Sequence, residues 1–278
     1  MNLIFSKNKH NYLKLVSFLV VIFSLNVLNA ATIDTLSVRS KLMDIDVKVL
    51  VITPEAIKEH PVPSVYLLHG HNGNAFSWND IKTDLSHYSD LYGIAMICPD
   101  AKNSWYWDSP LNKSSKYESF IIKELYPHIS KMFQIDDRRE KTAITGLSMG
   151  GHGAFWIGGK YPDIFGAIGS MSGGLDLRPF PVNWNLTEHL GNAKDNQKLW
   201  NDYTVMTHLE RFVKNDYAII FDCGSEDFFY DVNVKMHEAL LEKKVPHDFI
   251  SRPGAHNPLY WSNAIEYQLL YFSNFFNR

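Results

Sequence analysis

The chain is 278 residues long, 45% hydrophobic and 14% aromatic, with a formal net charge of −3 at pH 7. That is enough apolar material for one large core, and α/β folds of this length are often one domain. Residues 1–30 hold Lys7, Lys9 and Lys14 and no acid, so the rest of the chain is more acidic than the total suggests, a balance that argues against a nucleic-acid partner.

The amino end places these lysines before an apolar run, Leu15 to Leu28, broken only by Ser17, Ser24 and Asn26 and followed by Ala30 and Ala31. Lysines, a short apolar run and small residues at the junction predict a secretory signal peptide over residues 1–30, cleaved after Ala30. The run is too short for the ~20 residues of a spanning helix. The expectation is therefore an exported protein, periplasmic or secreted, with no membrane association after cleavage and a single catalytic domain over residues 31–278. The first cysteine, Cys98, is far from the junction, which leaves no cysteine there to lipidate.

Alternation over Met43–Pro54 predicts a half-exposed strand, and Ser64–Gly70 a more buried one. The apolar runs Ile94–Cys98 and Tyr217–Cys223 read as buried strands, joined by Lys141–Thr145, Gly166–Ser172 and His247–Pro253. Helices are expected over Trp78–Tyr88, Tyr117–Phe133 with a kink at Pro127, Met149–Tyr161, Tyr230–Lys244 and Leu259–Phe276. Strands and helices alternating from Ser64 onward predict a mostly parallel central sheet flanked by helices. In the usual strand order of such a fold three strands separate Cys98 from Cys223, so both are expected to remain free thiols. The region Gly173 to Val213 breaks the alternation, with no strand, several short helices, Trp184 and Trp200. Long loops above a sheet supply lids and substrate walls, though each aromatic there can equally be packing.

Gly146-Leu147-Ser148-Met149-Gly150 lies between a predicted strand and a predicted helix. A sharp turn there excludes bulk on either side of the serine and lifts its hydroxyl above the sheet, at the positive end of the helix. A phosphate-binding loop is not supported, because no Gly-Lys-Ser/Thr follows. A serine hydroxyl needs a base, and the base needs an orienting acid. Two later strand ends supply them: His256 in the loop after Pro253, and Asp227, carried clear of its strand by Cys223-Gly224-Ser225. Asp222 lies within the strand, and Glu226 points one residue earlier. The chain order Ser148, Asp227, His256 is that of the α/β-hydrolases. The N–H of Met149 and the backbone N–H of His71, in the loop after the Ser64–Gly70 strand, are the expected oxyanion donors. His69 and His71 lack a third ligand at metal-site spacing, so no metal is expected. His152 is read as a packing or hydrogen-bonding residue. Asn112-Lys113-Ser114 and Asn185-Leu186-Thr187 match glycosylation sequons, which carry meaning only in a eukaryotic secretory pathway.

The segments VYLLHGHNGNAFSW, SPLNKSSKYESFIIKELYPHI, TGLSMGGHGAF, FDCGSEDFFYD and GAHNPLYW together resemble the esterase D group of α/β-hydrolases. That group includes S-formylglutathione hydrolases, tributyrin esterases, acetylxylan and feruloyl esterases and mycolyltransferases. The resemblance spans about Ser40 to Arg278 and implies a serine esterase with its triad on Ser148, Asp227 and His256, oxyanion donors on His71 and Met149, and no cofactor. One departure is Asn257-Pro258 after His256, where many relatives carry Asp-Trp, which leaves the path of that loop open.

Export argues against glutathione chemistry, which belongs to the cytosol. Exported members of the group with aromatic-rich loops act on polysaccharide decorations, so the expected substrate is a small-molecule or oligosaccharide ester carrying an acetyl or feruloyl group. Trp105 and Trp107, after the Ile94–Cys98 strand, are expected at the rim of the cleft, where their faces would stack on sugars or phenolic acids. Acyl transfer to a sugar hydroxyl, hydrolysis of small esters or of S-formylglutathione, and a non-catalytic carbohydrate-binding protein are the other readings of the same residues.

Overall fold

The computed structural model describes residues 30–278; apart from Ala30, the expected signal peptide lies outside the described residues. Eight strands form one sheet: β1 (Thr32–Ser40), β2 (Ile45–Thr53), β3 (Ser64–Leu68), β4 (Ala95–Pro99), β5 (Thr142–Gly146), β6 (Ala167–Met171), β7 (Ala218–Gly224) and β8 (Asp248–Arg252). Their spatial order is β1-β2-β4-β3-β5-β6-β7-β8. The strands from β3 onward run parallel, while β1 and β2 pair antiparallel at one edge. Parallel strands buried on both faces need apolar side chains in both directions, and the alternation delivers them. Tyr66, Leu68, Ile144, Ile168 and Phe221 enter one core, and Val65, Leu67, Met96, Ala143 and Ile220 enter the other.

Strand β1 is absent from the sequence reading. Of its nine residues only Val38 and Ser40 are buried, so it lacks the apolar pattern of a core strand and exists by pairing along its full length with β2. The helix expected over Trp78–Tyr88 is two helices, α1 (Ser77–Ile81) and α2 (Leu85–Tyr92). They part at Lys82, whose ammonium reaches Asp84 at 3.1 Å and Glu266 at 2.5 Å. The kink expected at Pro127 takes a specific form. Helix α3 (Tyr117–Ser119) passes into a π-helical stretch, Phe120–Leu125, before α4 (Tyr126–Met132) resumes. Proline has no N–H to give the carbonyl four residues back, and its ring crowds that carbonyl, so the preceding turn widens.

The helix α5 (Met149–Lys160) follows β5, and α9 (Tyr230–Glu242) and α10 (Pro258–Phe276) close the chain around the last strands. Between β6 and β7 the region 173–213 holds α6 (Leu186–Leu190), α7 (Gln197–Asp202) and α8 (Glu210–Val213) and no strand. Cys98 and Cys223 are buried and unbridged, with β3, β5 and β6 between their strands and their side chains in opposite cores.

Candidate active site

The turn from β5 into α5 is as tight as the glycines suggest. A Cβ on Gly146 would lie 2.5 Å from the Leu68 carbonyl oxygen, and one on Gly150 would lie 2.2 Å from the same atom. Both neighbours are backbone, so neither site can give way to a side chain. Ser148 sits between them at φ 55°, ψ −116°, an unfavourable backbone conformation for a non-glycine residue. Its N–H donates to the Met171 carbonyl at 2.9 Å, which ties the strained residue to the neighbouring strand.

Asp227 and His256, the expected acid and base, come from adjacent strands whose exit loops are stitched together. Ser225 N–H donates to the Arg252 carbonyl and Glu226 N–H to the Gly254 carbonyl, both at 2.9 Å. A Cβ on Gly224 would lie 2.2 Å from the Gly254 oxygen, so the two main chains touch. Asp227 follows this contact with its carboxylate fully buried; Oδ1 accepts the Phe229 N–H at 2.8 Å and Oδ2 faces His256 Nδ1 at 2.8 Å. A carboxylate can only accept, so Nδ1 carries a proton, and Nε2 is left to accept from Ser148 Oγ at 2.9 Å. The imidazole is packed by Phe228, with ring centroids 4.2 Å apart, and by Trp261 edge-on at 4.9 Å. The path of the base loop, open in the sequence, is set by Asn257-Pro258: Asn257 caps α10, its Oδ1 accepting the Tyr260 N–H at 3.0 Å, and Pro258 occupies the first turn.

Above Ser148 is a cavity of ≈ 380 Å³, with His71, Leu147, Trp184, Phe228, His256 and Trp261 in its wall. The backbone N–H groups of His71 and Met149 face no protein acceptor among the described residues. Met149 opens α5, so its N–H is one of the helix's unpaired first-turn donors.

Trp105 and Trp107 do not reach this cavity. They are 1% and 0% exposed and stack at 5.8 Å inside the core. Trp105 and Tyr106 adopt left-handed backbone angles, φ 56° and 61°, within the turn that carries these rings. Trp107 Nε1–H donates to His152 Nε2 at 3.0 Å, and His152 donates its Nδ1–H to the Gly174 carbonyl at 2.9 Å. Burial holds the His152 pKa down to about 4, so it is a neutral structural imidazole. The aromatic walls are instead Trp184, from the 173–213 region, and Phe228, directly after Asp227; the two stack at 5.3 Å. Trp105 supports that wall from behind, its Nε1–H donating to the Trp184 carbonyl at 3.2 Å. The position of Phe228 next to the acid was a usable signal in the sequence.

The other carboxylates near the acid are placed elsewhere. Glu226 is exposed. Asp222 is wholly buried, its Oδ2 accepting from Gln268 at 2.7 Å and its Oδ1 3.6 Å from Arg252 Nη2. Burial raises its pKa to about 6, against the pull of Gln268 and Arg252. His69 and His71 do not converge. His69 donates to the Gly70 carbonyl and accepts the Ala101 N–H, whereas His71 faces Asn185.

Residues 40–272 match the Esterase family, described as "Putative esterase". An acetyl esterase from Caldicellulosiruptor saccharolyticus is 26% identical over 81% of this chain and 92% of its own length. Among solved structures, an S-formylglutathione hydrolase from Staphylococcus aureus superposes with a TM-score of 0.79 at 21% identity, covering 88% of this chain and 100% of that one. A ferulic acid esterase superposes with a TM-score of 0.74 at 24% identity over 89% of this chain and 100% of that one. This chain belongs to the Esterase family, has the α/β-hydrolase fold and is a serine carboxylic-ester hydrolase.

Proposed function

We propose that this esterase is exported and removes acetyl or feruloyl groups from carbohydrate through an acyl-enzyme formed on Ser148. His256 Nε2 takes the Ser148 proton as Oγ attacks the ester carbonyl, then returns it to the departing alcohol. Asp227 holds the Nδ1–H tautomer and offsets the charge that develops on the ring. The N–H groups of His71 and Met149 receive the oxyanion. Water then attacks the acyl-enzyme by the same proton path, releasing the acid and restoring Ser148.

The observation that carries the reading is the hydrogen-bonded series Asp227–His256–Ser148 opening into a cavity walled by aromatic rings. A volume of ≈ 380 Å³ is in the range of small-ligand sites, about 300–1,000 Å³, and the exposed ring of Phe228 with Trp184 beside it suits a sugar ring or a phenolic acyl group. Export rests on the lysine-flanked apolar run of residues 1–30. The test is to incubate the mature chain with acetylated and feruloylated xylan fragments, S-formylglutathione and aryl acetates, and to identify the released acids by mass spectrometry. Acetate or ferulate released from the xylan fragments is the expected result. Turnover of S-formylglutathione with the sugar esters untouched would replace the carbohydrate assignment, and new sugar esters among the products would turn hydrolysis into transfer.

A further inference from the structure

The two expected oxyanion donors are held in different ways. Met149 sits at the start of a helix whose backbone fixes it. His71 lies beyond the end of β3 at Leu68, in a loop the sheet does not hold. An oxyanion donor must be placed to within a few tenths of an ångström of where charge develops. Something other than the sheet has to hold the second one.

Two asparagines from distant loops grip this segment. Asn185, in the 173–213 region, accepts from His71 Nε2 at 3.1 Å and donates from Nδ2 to Glu188 at 2.5 Å. The Glu188 carboxylate can only accept, which turns the amide oxygen toward His71 and requires its Nε2 to carry the proton. On the other side, Asn103, in the loop after β4, pairs reciprocally with Asn72. The Asn72 N–H donates to Asn103 Oδ1 at 2.7 Å and Asn103 Nδ2 donates to Asn72 Oδ1 at 2.9 Å. Asn72 is in the left-handed region, φ 63°, as is Asn185, φ 58°. The circuit closes through α6, where His189 Nε2–H donates to the Asn103 carbonyl at 2.9 Å.

We propose that Asn185 and Asn103 are positioning residues for ester hydrolysis: they clamp His71-Asn72 between two other loops and so hold the His71 N–H on the oxyanion. The inference rests on the reading of that N–H as an oxyanion donor. It also gives the 173–213 region a second task besides its wall, since this region carries Asn185, Glu188 and His189.

The experiment compares Asn185→Ala, His71→Ala, the double variant and Asn103→Ala on p-nitrophenyl acetate, with melting temperatures measured alongside. His71→Ala keeps the backbone donor and removes its handle together with the part of the cavity wall that the ring supplies, whereas Asn185→Ala removes the contact from outside that wall. Complete loss of an oxyanion donor costs about 10²–10³ in kcat, so loosening one is expected to cost about tenfold in each variant, with KM held within about twofold in Asn185→Ala, whose side chain is not in the cavity wall. The double variant should be no slower than His71→Ala, because both remove the same contact. Wild-type kcat in Asn185→Ala, losses that multiply in the double variant, or a change confined to KM in Asn185→Ala would each overturn the clamp. A fall in kcat that only follows a fall in melting temperature would do the same, because it would mark a structural role. Since the probe is an aryl acetate, failure on sugar esters strikes only the carbohydrate reading, whereas these variants strike only the clamp.

Discussion

Replacing Asp227 with Asn keeps the shape of the site and reverses one proton. Asp227 Oδ1 accepts the Phe229 N–H at 2.8 Å, so the new amide keeps its oxygen there and presents its NH₂ to His256 Nδ1. Nδ1 then has to accept, the ring proton moves to Nε2, and Nε2–H points at Ser148 Oγ, 2.9 Å away, with no lone pair to take its proton. The same change in a Ser-His-Asp protease costs about 10⁴ in kcat, or about 5 kcal/mol of transition-state stabilisation at 1.36 kcal/mol per factor of ten. Burial of the Asp227 carboxylate argues for the full effect, since water cannot re-pair the site. Rescue from Glu226 is not expected, because that residue is exposed and its N–H is committed to the Gly254 carbonyl. The assay is kcat/KM on p-nitrophenyl acetate together with the rate of fluorophosphonate labelling, for Asp227→Asn, Asp222→Asn and Glu226→Gln, with Ser148→Ala as the floor. Asp227→Asn within about tenfold of wild type, alongside a deeper loss in either of the others, would refute the assignment.

Cys98 and Cys223 are expected to titrate as two thiols in the unfolded, non-reduced protein and to be unreactive in the native one, where burial pushes the Cys98 thiol up to about 12 and the Cys223 thiol higher still; a single thiol or none on unfolding contradicts the strand order. Trp107→Ala should cost about 3–5 kcal/mol of stability, as core tryptophan truncations do, while Trp184→Ala, at a position half-buried against the core, should lower the melting temperature less and raise KM for aryl esters. Thermal scans with kinetics separate the two, and the opposite pattern would return Trp107 to the cleft. Asp222 has its pKa raised to about 6 by burial, against about 3.9 in an unfolded chain, so the fold favours its neutral form. That contribution is complete below pH ~4 and is lost as pH rises through ~6. The melting temperature of Asp222→Asn minus that of wild type should therefore climb between those values and level off above them; a flat difference would mean an ion pair with Arg252 that persists throughout.

The meeting of Ser148, Asp227 and His256 at the strand ends was legible in the sequence and aromatic placement was not. Ser148, Asp227 and His256 each follow an apolar run with small residues or proline around the exit, and both signals are local. Trp105 and Trp107 also follow a strand end, but their burial accompanies two successive left-handed residues, Trp105 and Tyr106, and aromatic residues give no local sign of such a turn. The break at Lys82 depends on Glu266, far along the chain, and β1 depends on its pairing with β2. The contact between His71 and Asn185 joins two loops 114 positions apart, with no periodicity to announce it. Asn257-Pro258 shows the reverse case. As a departure from related sequences it looked like a gap in the reading, yet an asparagine cap followed by proline is a strong local signal for starting a helix.

The stitched loops of β7 and β8 divide the hydrogen-bonded series Asp227–His256–Ser148 into a stiff half and a compliant half. Asp227 and His256 hang from neighbouring strands whose exits share two main-chain hydrogen bonds, so thermal flexing of the sheet carries them together. Ser148 hangs from β5, with β6 intervening, and any change in sheet twist is felt first between Oγ and Nε2. Warming or mild denaturant should then part Ser148 from His256 while His256 still holds Asp227. Such a protein would lose turnover before it lost its fold, with the imidazole still locked in its working tautomer.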